Sequence, residues 1–127
     1  MGFVMIFKRM AIIPLLLTAC SPYVEVTDIS QVDTATMTRA AQVRTYTVGQ
    51  DAPPGYSVIA PVSAFSCKNL ITDPPASKGD ALLQLQLKAL ELGASGVVNV
   101  TFDTRGTDAY GTNCWESVQA SGLAVRF

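Results

Sequence analysis

The order of apolar and polar positions divides this chain of 127 residues into a leader, a polar stretch and a folded domain. Lys8 and Arg9 precede an uninterrupted apolar run, Ala11 to Leu17, which is followed by small residues. That run is too short to cross a bilayer, which takes about 20 apolar residues as a helix. Charge, then a short apolar run, then small residues is the order of a secretory signal peptide over residues 1–19. Residues 20–41 are rich in Ser, Thr, Asp and Gln with scattered Val, and they show no sustained period. This composition predicts a flexible tether, with Val24-Glu25-Val26 as a minor strand in the alternative reading.

From about residue 42 the pattern becomes regular. Val43, Thr45 and Thr47 alternate with Arg44 and Tyr46, which predicts a short strand. Asp51-Ala52-Pro53-Pro54-Gly55 breaks it. Tyr56–Ser66 reads as a longer strand rich in Val, Ile and Phe, and Pro61 inside it demands an edge position or a bulge. Asp80–Leu92 is a helix on its 3.6-residue period, with Leu82, Leu85, Ala89 and Leu92 as its apolar stripe. Ser77 or Asp80 serves as its cap, and Gly93 ends it in a left-handed turn. Val97–Phe102 is a further strand, Asp103–Asn113 a polar loop, and Cys114–Gln119 a last strand with Leu123, Val125 and Phe127 beyond it. Gly122 marks a bulge between those two halves. The expected fold of residues 42–127 is α+β: a small four-stranded, mostly antiparallel sheet, one main helix on one face, and one disulfide.

The end of the leader, Leu17-Thr18-Ala19-Cys20, resembles the lipobox of bacterial lipoproteins. Small residues fit a signal-peptidase cleft, and the Cys20 thiol is the nucleophile that takes up a diacylglyceryl group. Burying acyl chains stabilises membrane attachment by about 0.8 kcal/mol per CH₂, and more than one chain makes it stable. Residue +2 is Ser21 rather than Asp, which by the sorting rule for such proteins sends the anchor to the outer membrane, with the domain facing the periplasm.

Composition then narrows the chemistry. Removal of Lys8 and Arg9 with the leader leaves seven basic against ten acidic side chains, a net charge of −3. A basic footprint for nucleic acid is absent from that balance. The chain has no His, which removes the commonest general base and most zinc sites. Of three cysteines, Cys20 goes to lipid and Cys67 and Cys114 remain for a compartment where disulfides persist. Their bond is expected, two separate buried thiols being the alternative. Ser77 beside Lys78 or Lys88 is a weak nucleophile–base hint. Asp103 and Asp108 lie in the Gly-rich loop without calcium-loop spacing and read as solvated acids. Tyr110 and Trp115 flank Cys114. They either pack on the disulfide or serve an interface. No catalytic residue, metal site or cofactor follows from these motifs, and the expectation is a non-enzyme.

Val62-Ser63-Ala64-Phe65-Ser66-Cys67, the helix end Ala89-Leu90-Glu91-Leu92-Gly93-Ala94-Ser95-Gly96-Val97, Asn113-Cys114-Trp115 and Gly122-Leu123-Ala124 resemble the family of RcsF. That family comprises outer-membrane lipoproteins of the Rcs envelope-stress phosphorelay, and the resemblance covers roughly Thr45 to Phe127. It implies a sensor that acts by protein–protein contact with outer-membrane barrel proteins and an inner-membrane Rcs regulator. It also carries one disulfide onto Cys67 and Cys114. The family's second disulfide falls on Phe102 and Ala120, which cannot form it, and the family's tether is longer and richer in Pro and Lys. The competing expectation is a structural, small-ligand-binding or metal-binding periplasmic lipoprotein that shares the fold without signalling.

Overall fold

A computed structural model describes residues 26–68, 70–105 (Arg105 by its backbone alone) and 114–127. In chain order the elements are a short 3-10 turn Ile29–Gln31, helix α1 Thr34–Ala41, strand β1 Arg44–Thr47, strand β2 Ser57–Lys68, helix α2 Lys78–Glu91, strand β3 Gly96–Arg105 and strand β4 Glu116–Arg126. The four strands form one sheet in the order β1-β3-β4-β2. β1 runs parallel to β3, while β3–β4 and β4–β2 are antiparallel. The fold is therefore α+β with a mixed, mostly antiparallel sheet.

The stretch from Asp28 to Ala41, expected to be tether, is folded instead. Asp28 caps the 3-10 turn through the Ser30 amide at 3.0 Å. Asp33 caps α1, its carboxylate accepting from the Thr36 amide at 3.1 Å and from the Thr36 hydroxyl at 2.6 Å. Short polar side chains thus satisfy the free amides that open each element. α1 lies alongside α2, and its Ala40 is fully buried. One buried residue in an eight-residue helix leaves no period to detect, which is why the sequence reads as irregular.

α2 starts at the expected cap, with Ser77 Oγ accepting from the Asp80 amide at 3.1 Å. It ends at Gly93, whose φ of 74° needs the left-handed region. Ala81, Leu85 and Ala89, four apart, face the sheet, and Leu82 and Leu90 pack beside them. Leu92 does not complete the stripe: it sits past the helix end and is 43% exposed. The sheet answers with Ala64 from β2, Val97 and Val100 from β3, and Val118, Ala120 and Ala124 from β4. Alanine on both sides lets helix and sheet approach closely, so the core is thin and tolerates little added volume.

β2 lies at the sheet edge and carries Pro61, as the missing amide of proline requires. β4 is one continuous strand, and the bulge expected at Gly122 belongs to its neighbour. Val98 pairs with Leu123 and Thr101 with Ser121, so Asn99 and Val100 together oppose Gly122. Asn99 takes φ 55°, a conformation that Asn tolerates better than most side chains. The bulge turns both Val97 and Val100 into the core. Gly122 accommodates it: a Cβ there would lie 2.7 Å from Val97 Cγ1 and 2.9 Å from the Val98 carbonyl oxygen.

On the opposite face an aromatic cluster covers the far end of the sheet. Tyr46 and Tyr56 meet the Phe127 ring edge-on, at centroid distances of 5.8 and 6.1 Å. The Arg44 guanidinium sits 4.4 Å above the same ring. A Cβ at Gly96 would run into Phe127, so the glycine makes room for the ring.

Candidate functional site: the disulfide end and the entry of the chain

Cys67 stands next to last in β2, in register with Ser117 of β4, and Cys114 lies just before β4. The two are joined by a disulfide with Cα atoms 5.4 Å apart, closing a separation of 47 residues. The elements around the bond are tied to one another. The Trp115 amide donates to the Lys68 carbonyl at 2.6 Å. The Ser77 amide at the start of α2 donates to Ser66 Oγ at 3.1 Å, one residue before Cys67. Ser66 and Ser117 are both buried polar residues. The segment after β2 turns at once, the Leu70 amide donating to the Asp73 carboxylate at 2.9 Å and the Asp73 amide to the Leu70 carbonyl at 3.1 Å.

At this end large apolar side chains point outward. Leu70 is 59% exposed, Ile71 79% and Trp115 49%. Trp115 therefore keeps half its surface in solvent although its neighbour Cys114 is buried. Tyr110, the other aromatic expected beside the disulfide, lies outside the described residues, as do Cys20, Ser21 and Asp108.

A second feature was not singled out in the sequence. Gln84, in the second turn of α2, is 3% exposed. Its side-chain oxygen accepts from the Thr27 amide at 3.1 Å, and its side-chain nitrogen donates to the Thr27 carbonyl at 2.8 Å. The clamp satisfies both backbone groups of one residue where the chain enters the domain. A glutamine among the polar residues of a helix carries no sign of such a partner, 57 residues away.

The weaker chemical hints do not come together. Ser77 Oγ is occupied as a helix cap, Lys88 Nζ donates to the Ser63 carbonyl at 2.9 Å, and Lys78 Nζ lies 5.6 Å from the centroid of the Phe102 ring. Asp103 belongs to β3, in register with Gln119, rather than to a loop. Among the described residues no three metal-ligating side chains cluster. A shallow depression of about 280 Å³ lies between α2 and the β2 edge, bordered by Pro61, Ser63, Lys88 and Glu91. Phe102 and Ala120 are register partners across β3 and β4, Ala120 fully buried and Phe102 packed against the core.

The described residues define a disulfide-stapled α+β domain of four strands and two helices. No protein-family model matches the chain, and no curated protein matches its sequence. Among solved structures, one that it is similar to is a protein of unknown function from Pediococcus pentosaceus ATCC 25745, belonging to the DUF74 family. The TM-score is 0.48 and the identity 20%, over 67% of this chain and 97% of that one.

Proposed function

We propose that the protein is a lipid-anchored envelope protein that works by protein–protein contact, as an RcsF-like sensor passing outer-membrane stress to the Rcs phosphorelay. The observation that carries this reading is the pairing of an apparatus for export with a bond that needs it. Leu17-Thr18-Ala19-Cys20 ends a leader of signal-peptide form, and the remaining cysteines form a disulfide, which persists outside the reducing cytosol. The register of Phe102 opposite Ala120 adds support, because a second disulfide placed on those positions would be geometrically natural.

The anchor is tested by metabolic labelling with palmitate: label is expected on the wild-type chain and lost in Cys20→Ala. The signalling role is tested by deleting the gene and following an Rcs-dependent reporter under envelope stress. An unchanged reporter rejects it. One observation favours a second reading, a structural lipoprotein without signalling. With Thr27 clamped by Gln84, six residues separate Cys20 from the domain, a short leash for contact with a distant regulator.

A further inference from the structure

We propose that the apolar tip formed by Leu70, Ile71 and Trp115 seats in the headgroup layer of the membrane that holds the lipid of Cys20, an inference that rests on the anchor reading above. The leash sets the geometry. Thr27 is bound to Gln84 on both its amide and its carbonyl, so the connection to Cys20 counts seven peptide steps from Thr27. Seven peptide steps span at most about 25 Å. Gln84 stands seven residues beyond the Ser77 cap, about 10 Å along α2 at 1.5 Å per residue. That cap is hydrogen-bonded to Ser66, beside the disulfide. The chain therefore enters the domain midway along α2, and the tip, about 10 Å away along the helix, lies within the span of that leash.

The tip itself suits a lipid surface. Leu70 and Ile71 are more than half exposed and Trp115 half exposed, a combination costly in water and favourable where apolar tails meet headgroups. It is preorganised, by the Leu70–Asp73 turn on one side and by the disulfide and the Trp115–Lys68 hydrogen bond on the other. Little side-chain or loop ordering remains to oppose docking. A short leash makes that docking intramolecular, at an effective concentration of about millimolar or above. Acyl chains and an interfacial apolar contact would act as two membrane signals, the tip adding orientation to attachment.

The chain has a single tryptophan, and it lies in the tip. Full-length protein, purified from membranes, is reconstituted into vesicles of phosphatidylethanolamine and phosphatidylglycerol with brominated acyl chains. Trp115 emission is expected to fall about two-fold or more, because interfacial burial of about 5–10 Å brings the ring to the acyl boundary. A Leu70→Ser, Ile71→Ser double variant with native circular dichroism is expected to keep the lipid and lose the quenching. Lipidated wild-type protein that shows no quenching overturns the docking and leaves the anchor standing. Quenching undiminished in the double variant also overturns it. Unquenched emission with a concentration-dependent dimer in sedimentation assigns the tip to a second copy. A chain with no lipid on Cys20 by mass spectrometry removes the anchor reading, and this inference with it.

Discussion

At the scale of single residues, Gly122 is tightly constrained by its place in the sheet. Its missing Cβ admits the β3 bulge, with Val97 and the Val98 carbonyl both within 3 Å of where a methyl would sit. Neither neighbour can withdraw: Val97 is fully buried and the carbonyl is backbone. We predict that Gly122→Ala destabilises the domain by about 1–3 kcal/mol, the usual cost of overpacking a close-packed core, read as a lower urea midpoint with unchanged slope. The need for glycine was legible in the sequence, but its cause was misplaced. A glycine within a strand pattern signals a bulge nearby, and only the register shows that Asn99 on the neighbouring strand makes it. Ser77 and Gly93 were readable because capping acts through adjacent residues. Gln84 was not, because its partner is distant in sequence.

At the scale of elements, α1 and the segment before it are the least expected part of the fold and the easiest to perturb. The Thr36 hydroxyl, and then the Thr36 amide, hold the Asp33 carboxyl below its ordinary 3.8. A carboxylate with a depressed folded-state pKa stabilises above the unfolded value and stops doing so as pH falls through the folded one. The Cα chemical shifts of Thr34–Ala41 are therefore expected to drift toward coil values as pH falls below the ordinary 3.8 and through the lowered folded-state value, and Asp33→Asn, which still caps, to flatten that drift. Gln84→Ala removes the clamp on Thr27, whose backbone can then rehydrate. The expected cost is about 1 kcal/mol, with faster amide exchange at Thr27 and nearly unchanged exchange in β3 and β4. In the sheet, directly opposed antiparallel residues have Cα atoms about 4.5–5.5 Å apart, within disulfide range. We predict that the double variant Phe102→Cys, Ala120→Cys forms a second disulfide, seen as the loss of two free thiols without reductant. Two titratable thiols would place these residues out of register.

At the scale of the whole molecule, the staple and the topology govern stability and assembly together. The Cys67–Cys114 bond closes a 47-residue span that contains all of α2 and β3. Loop-closure entropy assigns such a bond about 4 kcal/mol, so Cys67→Ser is expected to cost about 2–5 kcal/mol in the unfolding midpoint. A midpoint that does not change on reduction would deny the bond this role. The α+β class and the pairing of Cys67 with Cys114 were legible, and Pro61 narrowed its strand to an edge position or a bulge, because alternation, proline and cysteine count are read without the strand order. The strand order was not, since no local signal joins Arg44 to Gly96.

That order has a consequence in time. The two central strands, β3 and β4, are the last to be made, while β1 and β2 occupy the edges. A chain delivered N-terminus first, from a ribosome or through a membrane pore, presents both edges before either has anything to pair with. β1 can pair only once β3 is made, and β2 has no partner until Glu116–Arg126 has emerged, so contacts far apart in sequence dominate the rate-limiting search. The arrangement works as a built-in delay. For an exported chain, that order leaves β2 unpaired during passage and defers the complete sheet and the disulfide until Cys114 and Glu116–Arg126 arrive.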